Sequence, residues 1–577
     1  MPLLTRRPVM ALCAVVFISI LLFAGSHHEP TTMKLEKWLP EIGINNKGNK
    51  SFRATRRRTR ALRQKCTQPD LFETMYGRTN IRMSRGYEGS LYRVEQFVNK
   101  ILRGEPVTFS AIGGSVTAGH HVVAEEIWVK LLGDWLRDWF PHDGFITVIN
   151  GAVPATGSGY FSFCFPLHIA DDSDLVVIEL GVNDEPDPEM TDNMEALLRG
   201  VLGMNNSPAV MLAEAMAFSM GQMSGGGGRY HLPVAQYYDV PVINQRHPLA
   251  NHFARFPEVV PMYFSEEWEQ SDLRHFNWHG HRDLAYLVAS LIRDVACELV
   301  ADPDYLPPPP DHHPPGVQEH TPGSPGESFH DQVTALYGED TRHVLRKMEA
   351  DWPEEARSWL YQPPAPKQRR RDNVEGPPPP EGEEAPQEET RVPEEPALPP
   401  RVWMPGFWSR PAELGMLPRI NGMEGWNADV NHRVPEFHPT CKSTHSEDPQ
   451  FQLLPIEKDP EWDYWVHPEH WDKPYYVSKV PGAKVKFEIE TSVGVVKVYS
   501  LFAHDMGLGK CKCWVDDAVD VGKIIDGRWG NAANIGHLTT LSTTIPAGTH
   551  NVTCQILEET NDPHGGHEFR LIGVMGG

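Results

Sequence analysis

The chain has 577 residues, with 53 Lys+Arg against 77 Asp+Glu, a formal charge of −24 and 40% hydrophobic residues. That charge argues against a general nucleic-acid-binding surface, which needs basic patches for phosphate, and the apolar content excludes a wholly disordered chain. Proline (52) and glycine (48) exceed ordinary usage but are concentrated in a few stretches, so their effect is local.

Residues 8–25, PVMALCAVVFISILLFAG, carry no charge and follow Arg6 and Arg7. The run just reaches the length that spans a bilayer. Two readings stand. The preferred one is an uncleaved signal anchor over 1–25, giving a single-pass membrane protein with a lumenal or extracellular body in the Golgi or secretory pathway. The other is a cleaved signal peptide, with Ala24-Gly25-Ser26 as the processing site, giving a secreted protein. Sequons at Asn49, Asn205 and Asn551 fit an exported glycoprotein. Of the eight cysteines, Cys13 lies in the apolar run; the other seven permit disulfides whose pairing the sequence does not give. Cys511-Lys512-Cys513 is too tightly spaced for the usual metal or redox motif.

Residues 26–85 read as a polar stem with a basic cluster (Arg56, Arg57, Arg58, Arg60, Arg63, Lys65), and 86–302 as a folded domain. Residues 303–400 read as a proline-rich acidic linker carrying a short helix over Val333–Leu360, and 401–577 as a second, β-rich domain. In the first domain, Val107–Ile112, Phe145–Ile149, Asp174–Leu180, Pro208–Leu212 and Pro241–Ile243 are expected strands. Helical spacing runs from Ile127 to Trp139 and again after Gly280. Such alternation implies a parallel sheet covered by helices on both faces, with reactive groups at the carboxyl ends of its strands.

Four blocks fall at those ends: FSAIGGSVTAG (109–119), INGAVPATGSGYF (149–161), IELGVND (178–184) and SDLRHFNWHGHRDLA (271–285). A serine on a tight strand-to-helix turn projects its hydroxyl into a cleft, and Asp272 and His275 stand three apart before a helix. In order and spacing these blocks resemble the SGNH hydrolase superfamily, the GDSL-like esterases, over residues 105–300 or so. The resemblance implies a flavodoxin-like three-layer α/β/α domain. It implies Ser115 as nucleophile, His275 as general base and Asp272 as the group that orients the imidazole. The oxyanion hole would comprise the Ser115 amide, a second-block amide from Ala155 or Gly157, and the Asn183 side chain. No metal and no organic cofactor is implied. Two positions depart from the family pattern: Gly114 stands where the family has Asp, and Ala155 where it has an oxyanion glycine. His120 and His121 read as a surface turn, with pocket lining as the alternative, and His281 reads as structural.

In the last domain, Lys484–Glu490, the Val496–Val498 stretch, Cys511–Val515, Val552–Ile556 and the Phe569–Gly573 end alternate, which suggests an antiparallel β-sandwich. Cys513 and Cys554 would face each other in its core, as a disulfide or as two thiols. The aromatic run EWDYWVHPEHWDKPYY (461–476) reads as core or edge cover, with a sugar-stacking platform as the alternative.

The combined expectation is a serine esterase acting on O-acyl esters, O-acetyl foremost, of a glycan or polysaccharide. A polysaccharide O-acetyltransferase and a catalytically inactive glycan-binding or scaffold protein are the alternatives. The expected partners are the acylated glycan or another ester substrate and, through the N-terminal segment, a membrane; nucleic acid is not among them.

Overall fold

The computed structural model describes residues 46–141, 146–218, 226–267, 270–308, 438–468, 470–530 and 534–577. The apolar run 8–25, the linker and the expected helix Val333–Leu360 lie outside the described residues.

The first half is built on a six-stranded sheet: β1 (Arg85–Tyr87), β2 (Val107–Gly113), β3 (Ile146–Asn150), β4 (Leu175–Glu179), β5 (Ala209–Glu214) and β6 (Val242–Asn244). The order is β1-β6-β5-β4-β2-β3, parallel except for the short edge strand β1. The central strands β2, β4 and β5 are buried along their length because both faces are covered, whereas the edge strands β1 and β3 are partly open. Leu175 and Val177 of β4 enter one core, with Phe97, Leu136 and Leu291 from the helices Tyr92–Arg103, Trp128–Trp139 and Trp278–Leu299. Val176 and Ile178 enter a second core, with Phe161, Leu197 and Val234 from the helices Ser158–Cys164, Glu189–Leu202 and Gly228–Tyr237. The five parallel strands take the doubly wound order 2-1-3-4-5, whose crevice opens beside the first strand, here between β2 and β4.

The second half packs two antiparallel sheets. One runs β10 (Glu457–Lys458), β13 (Lys484–Thr491), β18 (Gly548–Ile556), β15 (Lys510–Val515), β16 (Lys523–Asp526). The other runs β11 (Asp463–His467), β12 (His470–Ser478), β19 (Phe569–Gly576), β14 (Val496–Phe502), β17 (Ile535–Ser542), with β9 (Thr440–Ser443) pairing β19. Val485, Phe487 and Ile489 face Val498, Leu571 and Val574 in a core of their own, beside the Cys513–Cys554 disulfide.

The halves share a core. Tyr475, Tyr499, Leu501, Ile572 and Met575 of the β-rich half belong to the same apolar cluster as Tyr160 and Phe161. A disulfide joins Cys164 to Cys441, and the Tyr160 hydroxyl lies 2.9 Å from His168 Nε2 and 3.3 Å from Ser443 Oγ.

Residues 46–84, which the sequence reading places in a stem, instead fold onto the first half. Leu62, Phe72 and Ile81 enter the first core, and Cys66 pairs with Cys297. The basic cluster lies on the helix Asn46–Cys66, where it serves the ends of three other helices. Arg58 donates to Leu102 O and Arg103 O, Arg63 to Val300 O and Asp302 O, and Lys65 to Asp138 O and Trp139 O. Those carbonyls are the orphan acceptors and the negative dipole ends of their helices, so cations belong there.

The signal-anchor reading, and the single-pass membrane placement with it, is corrected: among the described residues no helix is long and apolar enough to cross a membrane. The longest helix among the described residues, Trp278–Leu299, is amphipathic and covers the sheet instead.

Candidate active site

Ser115 opens the short helix Ser115–Ala118 directly after β2, and Asn183 follows β4, so both flank the crevice of the doubly wound sheet. Asp272 and His275 arrive from elsewhere. They lie on β8 (Gln270–Phe276), which pairs with β7 (Phe264–Glu267) in a hairpin ahead of the last helix. Asn277 caps that helix by accepting from the His279 amide at 3.0 Å.

These residues converge. Ser115 Oγ lies 2.6 Å from His275 Nε2, and His275 Nδ1 is hydrogen-bonded to Asp272 Oδ2. An ionised carboxylate only accepts, so Nδ1 carries the proton and Nε2 accepts from the serine hydroxyl. Asp272 Oδ1 also accepts from the Arg274 amide at 2.9 Å and the His275 amide at 3.4 Å. Burial alone would raise the Asp272 carboxyl; the hydrogen bonds from His275 and these amides overcome it and hold its pKa down at about 2. A hydroxyl, an imidazole and an ionised carboxylate in this series can move a proton off the hydroxyl as it attacks an electrophile.

The second block is laced to the first. The Gly151 and Val153 amides donate to Ala111 O and Gly113 O at 2.9 Å, and Asn150 Nδ2 donates to Thr117 O at 2.9 Å. Ala155 has φ +61°, the left-handed conformation that favours glycine, and its carbonyl accepts from the Gly536 amide of the β-rich half at 3.2 Å. Gly157 packs against Asp184 so closely that a Cβ there would overlap Asp184 Oδ1. Asn183 lies against Gly114: a Cβ on Gly114 would fall 2.6 Å from Asn183 Cγ and 3.0 Å from Nδ2. The glycine in place of the expected Asp thus makes room for Asn183. Asn183 Oδ1 is buried with no hydrogen-bond partner among the described residues.

A buried network that the sequence reading missed supports these loops. His231 is enclosed, with Nε2 2.8 Å from Asp184 Oδ2 and Nδ1 3.0 Å from Glu214 Oε1. Burial would depress its pKa, but Glu214 and Asp184 raise it to about 10, so both ring nitrogens donate. Asp184 in turn accepts from the Ser158 amide at 2.7 Å, which ties the third block to the second. Gly227 and Gly228 pack against Asp184 and Glu214 at the start of a helix. Asp184 is legible as the end of the third block, whereas nothing in the sequence marks His231 as its partner. His281 accepts from the Trp128 amide at 3.3 Å, and burial lowers its pKa to about 3, in keeping with a structural role.

His120 and His121 stand at the edge of the triad. Their ring centroids are 3.8 Å apart, His120 lies 4.6 Å from the His275 ring, and His121 Nε2 lies 3.6 Å from Asp272 Oδ2. Burial, then His275 and His121, and lastly Lys473 of the β-rich half lower the His120 pKa to about 4, against an opposing pull from Asp272. Lys473 lines a cleft of about 180 Å³ with Ala155 and Thr156 of the second block and His467, Tyr475 and Arg570. In the aromatic segment Trp462 is fully buried as core, whereas Trp465 and Tyr475 carry the Arg570 guanidinium at 4.8 and 5.4 Å. Of the paired cysteines Cys511 and Cys513, only Cys513 is in a disulfide; Cys511 is a buried thiol.

No family model matches the chain, and no curated protein matches it. Among solved structures, it is similar to a two-domain esterase active on acetylated mannans, co-crystallised with mannopentaose: TM-score 0.52, 14% identity, covering 86% of this chain and 97% of that one. A second crystal structure of a two-domain esterase active on acetylated mannans gives a TM-score of 0.51 at 15% identity, covering 86% of this chain and 98% of that one. At these identities the likeness is one of fold. The chain shares the two-domain architecture of those structures, an α/β half followed by an antiparallel β half.

Proposed function

We propose that this protein is a serine esterase of the SGNH type that removes O-acetyl groups from a glycan. The observation that carries the reading is the hydrogen-bonded series Ser115–His275–Asp272 at the mouth of the sheet crevice. The four sequence blocks and the 2-1-3-4-5 strand order support the SGNH and flavodoxin-like assignments.

In this reading His275 Nε2 takes the proton as Ser115 Oγ attacks the acetyl carbonyl. Asp272 holds the imidazole in the Nδ1–H tautomer and stabilises its cation. The Ser115 amide, the amide of Ala155 or Gly157, and Asn183 hold the tetrahedral oxyanion. Collapse expels the sugar oxygen, which takes the proton from His275, and water then repeats the sequence to release acetate. The glycan is supported by the cleft beside Ala155, where Lys473, His467 and Arg570 offer donors and Tyr475 an aromatic face, and by the likeness to an esterase active on acetylated mannans. The three disulfides fit an oxidising compartment.

The test is acetate release from acetylated mannan, with p-nitrophenyl acetate turnover and fluorophosphonate labelling, in the parent, Ser115→Ala and His275→Ala. Turnover and labelling present in the parent and absent from both variants are expected. A folded parent that neither labels nor turns over would sink the reading.

A further inference from the structure

The triad imidazole does not stand alone. His120, His121, Asp272 and His275 each offer a ligand atom, and the four atoms lie within 4.8 Å of one another. Asp272 Oδ2 is flanked on one side by His275 Nδ1 and on the other by His121 Nε2 at 3.6 Å. Ligand atoms in a tetrahedral zinc site, each about 2.0–2.2 Å from the metal, stand roughly 3.4 Å apart. The widest spacing in the cluster therefore has to close by about 1.4 Å, the hydrogen-bonded Asp272–His275 pair has to open to admit the ion, and His120 and His121 lie on an exposed turn. His121 reaches the site through a left-handed backbone, φ +67°, a conformation uncommon for a residue with a Cβ. Three imidazoles and one carboxylate make a donor set that suits zinc and its neighbours rather than calcium or magnesium.

We propose that these four residues form a transition-metal site, filled by Zn²⁺ or a cation of that class, and that filling it silences the serine mechanism. The silencing half of the proposal rests on the esterase reading above. Its chemistry is a change of tautomer. A metal bound at His275 Nδ1 takes the lone pair that the proton there occupied, and that proton moves to Nε2. Nε2 then faces Ser115 as a donor, and the serine has no base. No bond to substrate forms and nothing is oxidised. The ion is an inhibitor in this scheme, so the esterase itself still needs no metal.

The experiment is a ZnCl₂ titration of the full chain, first stripped with chelator. p-Nitrophenyl acetate turnover gives the half-inhibiting concentration. Calorimetry on Ser115→Ala gives binding without any reference to activity. Saturable binding is expected, with inhibition reversed by EDTA. His120→Ala and His121→Ala are each expected to raise the half-inhibiting concentration by about tenfold or more, whatever their metal-free rates. In Ser115→Ala, adding either histidine change should weaken the calorimetric binding by the same factor. Values unchanged in both histidine variants would overturn the proposal, as would the absence of calorimetric binding in Ser115→Ala. A parent without turnover would strike the esterase reading, and calorimetry would still decide whether the metal site exists.

Discussion

Gly114 and Asn183 are in direct contact across the mouth of the crevice, and the missing side chain of the first is what lets the second stand beside Ser115. The two residues come from the ends of β2 and β4, adjacent strands of the sheet. Replacing Gly114 by Ala should therefore move Asn183 more than it harms the fold, because the obstructed atoms lie toward the end of a side chain that can turn away. We expect kcat/KM on p-nitrophenyl acetate to fall about 10²–10³-fold, as for loss of an oxyanion donor, with a stability change within about 1 kcal/mol. Asn183→Ala should match that loss of activity. A Gly114→Ala variant as active as the parent would place Asn183 outside the reaction.

Asp272 fixes the tautomer of His275. Asp272→Asn keeps the shape but presents the wrong hydrogen-bond partner, so kcat should fall by about 10⁴ while p-nitrophenyl acetate still binds. Steady-state kinetics with separate kcat and KM would check this. An equal loss in KM alone would point to a binding role.

Ala155 is held at φ +61°. Glycine takes this conformation without the Cβ clash, a gain of about 1–2 kcal/mol, and loses about 0.4–1 kcal/mol through the unfolded chain. Ala155→Gly should thus be neutral or stabilising by up to about 1.6 kcal/mol, and it should retain activity if a backbone amide is all this position supplies. Denaturant unfolding monitored beside turnover measures both.

The His231 imidazolium binds two buried carboxylates, and its pKa in the folded protein, about 10, lies above the ~6.5 of a free histidine. A raised folded value means that the charged ring favours folding. Its contribution is complete below about pH 6.5 and is lost as the pH rises through about 10. The stability gap between the parent and His231→Gln should shrink steadily across that window. Melting curves of both proteins at matched pH values would show it; a gap constant from pH 6 to 10, or widening, would contradict the ion-pair assignment.

The parts of the fold legible in the sequence were those written in local pattern. β2, β4 and the last helix lie within a few residues of their expected bounds, because continuous apolar runs and 3.6-residue spacing report burial directly. The β13 and β18 strands were legible by alternation for the same reason. The four blocks gave Ser115, Asn183, Asp272 and His275, which the fold brings together. What escaped was long-range. Arg58, Arg63 and Lys65 look like a solvated basic run until three distant helix ends are placed beside them. The β7–β8 hairpin was missed because its apolar content is low and its pairing is short. His231 carries no local signal, since its two partners are 17 and 47 residues away in sequence. The contact of Ala155 with Gly536 joins residues on different halves, and no periodicity encodes it.

The apolar cluster that runs from Phe161 through Tyr160 to Tyr499 and Ile572 makes the two halves unequal to independent life. A polypeptide ending near residue 308 would keep every triad member, yet it would turn one wall of its interior into an oily exterior face and leave Cys164 without its mate. Exposed patches of that kind drive self-association. The α/β half alone should consequently come out of expression as aggregate, while a chain that keeps the β-rich half should not. In this molecule the β-rich half is as much a part of the α/β half's interior as that half's own sheet.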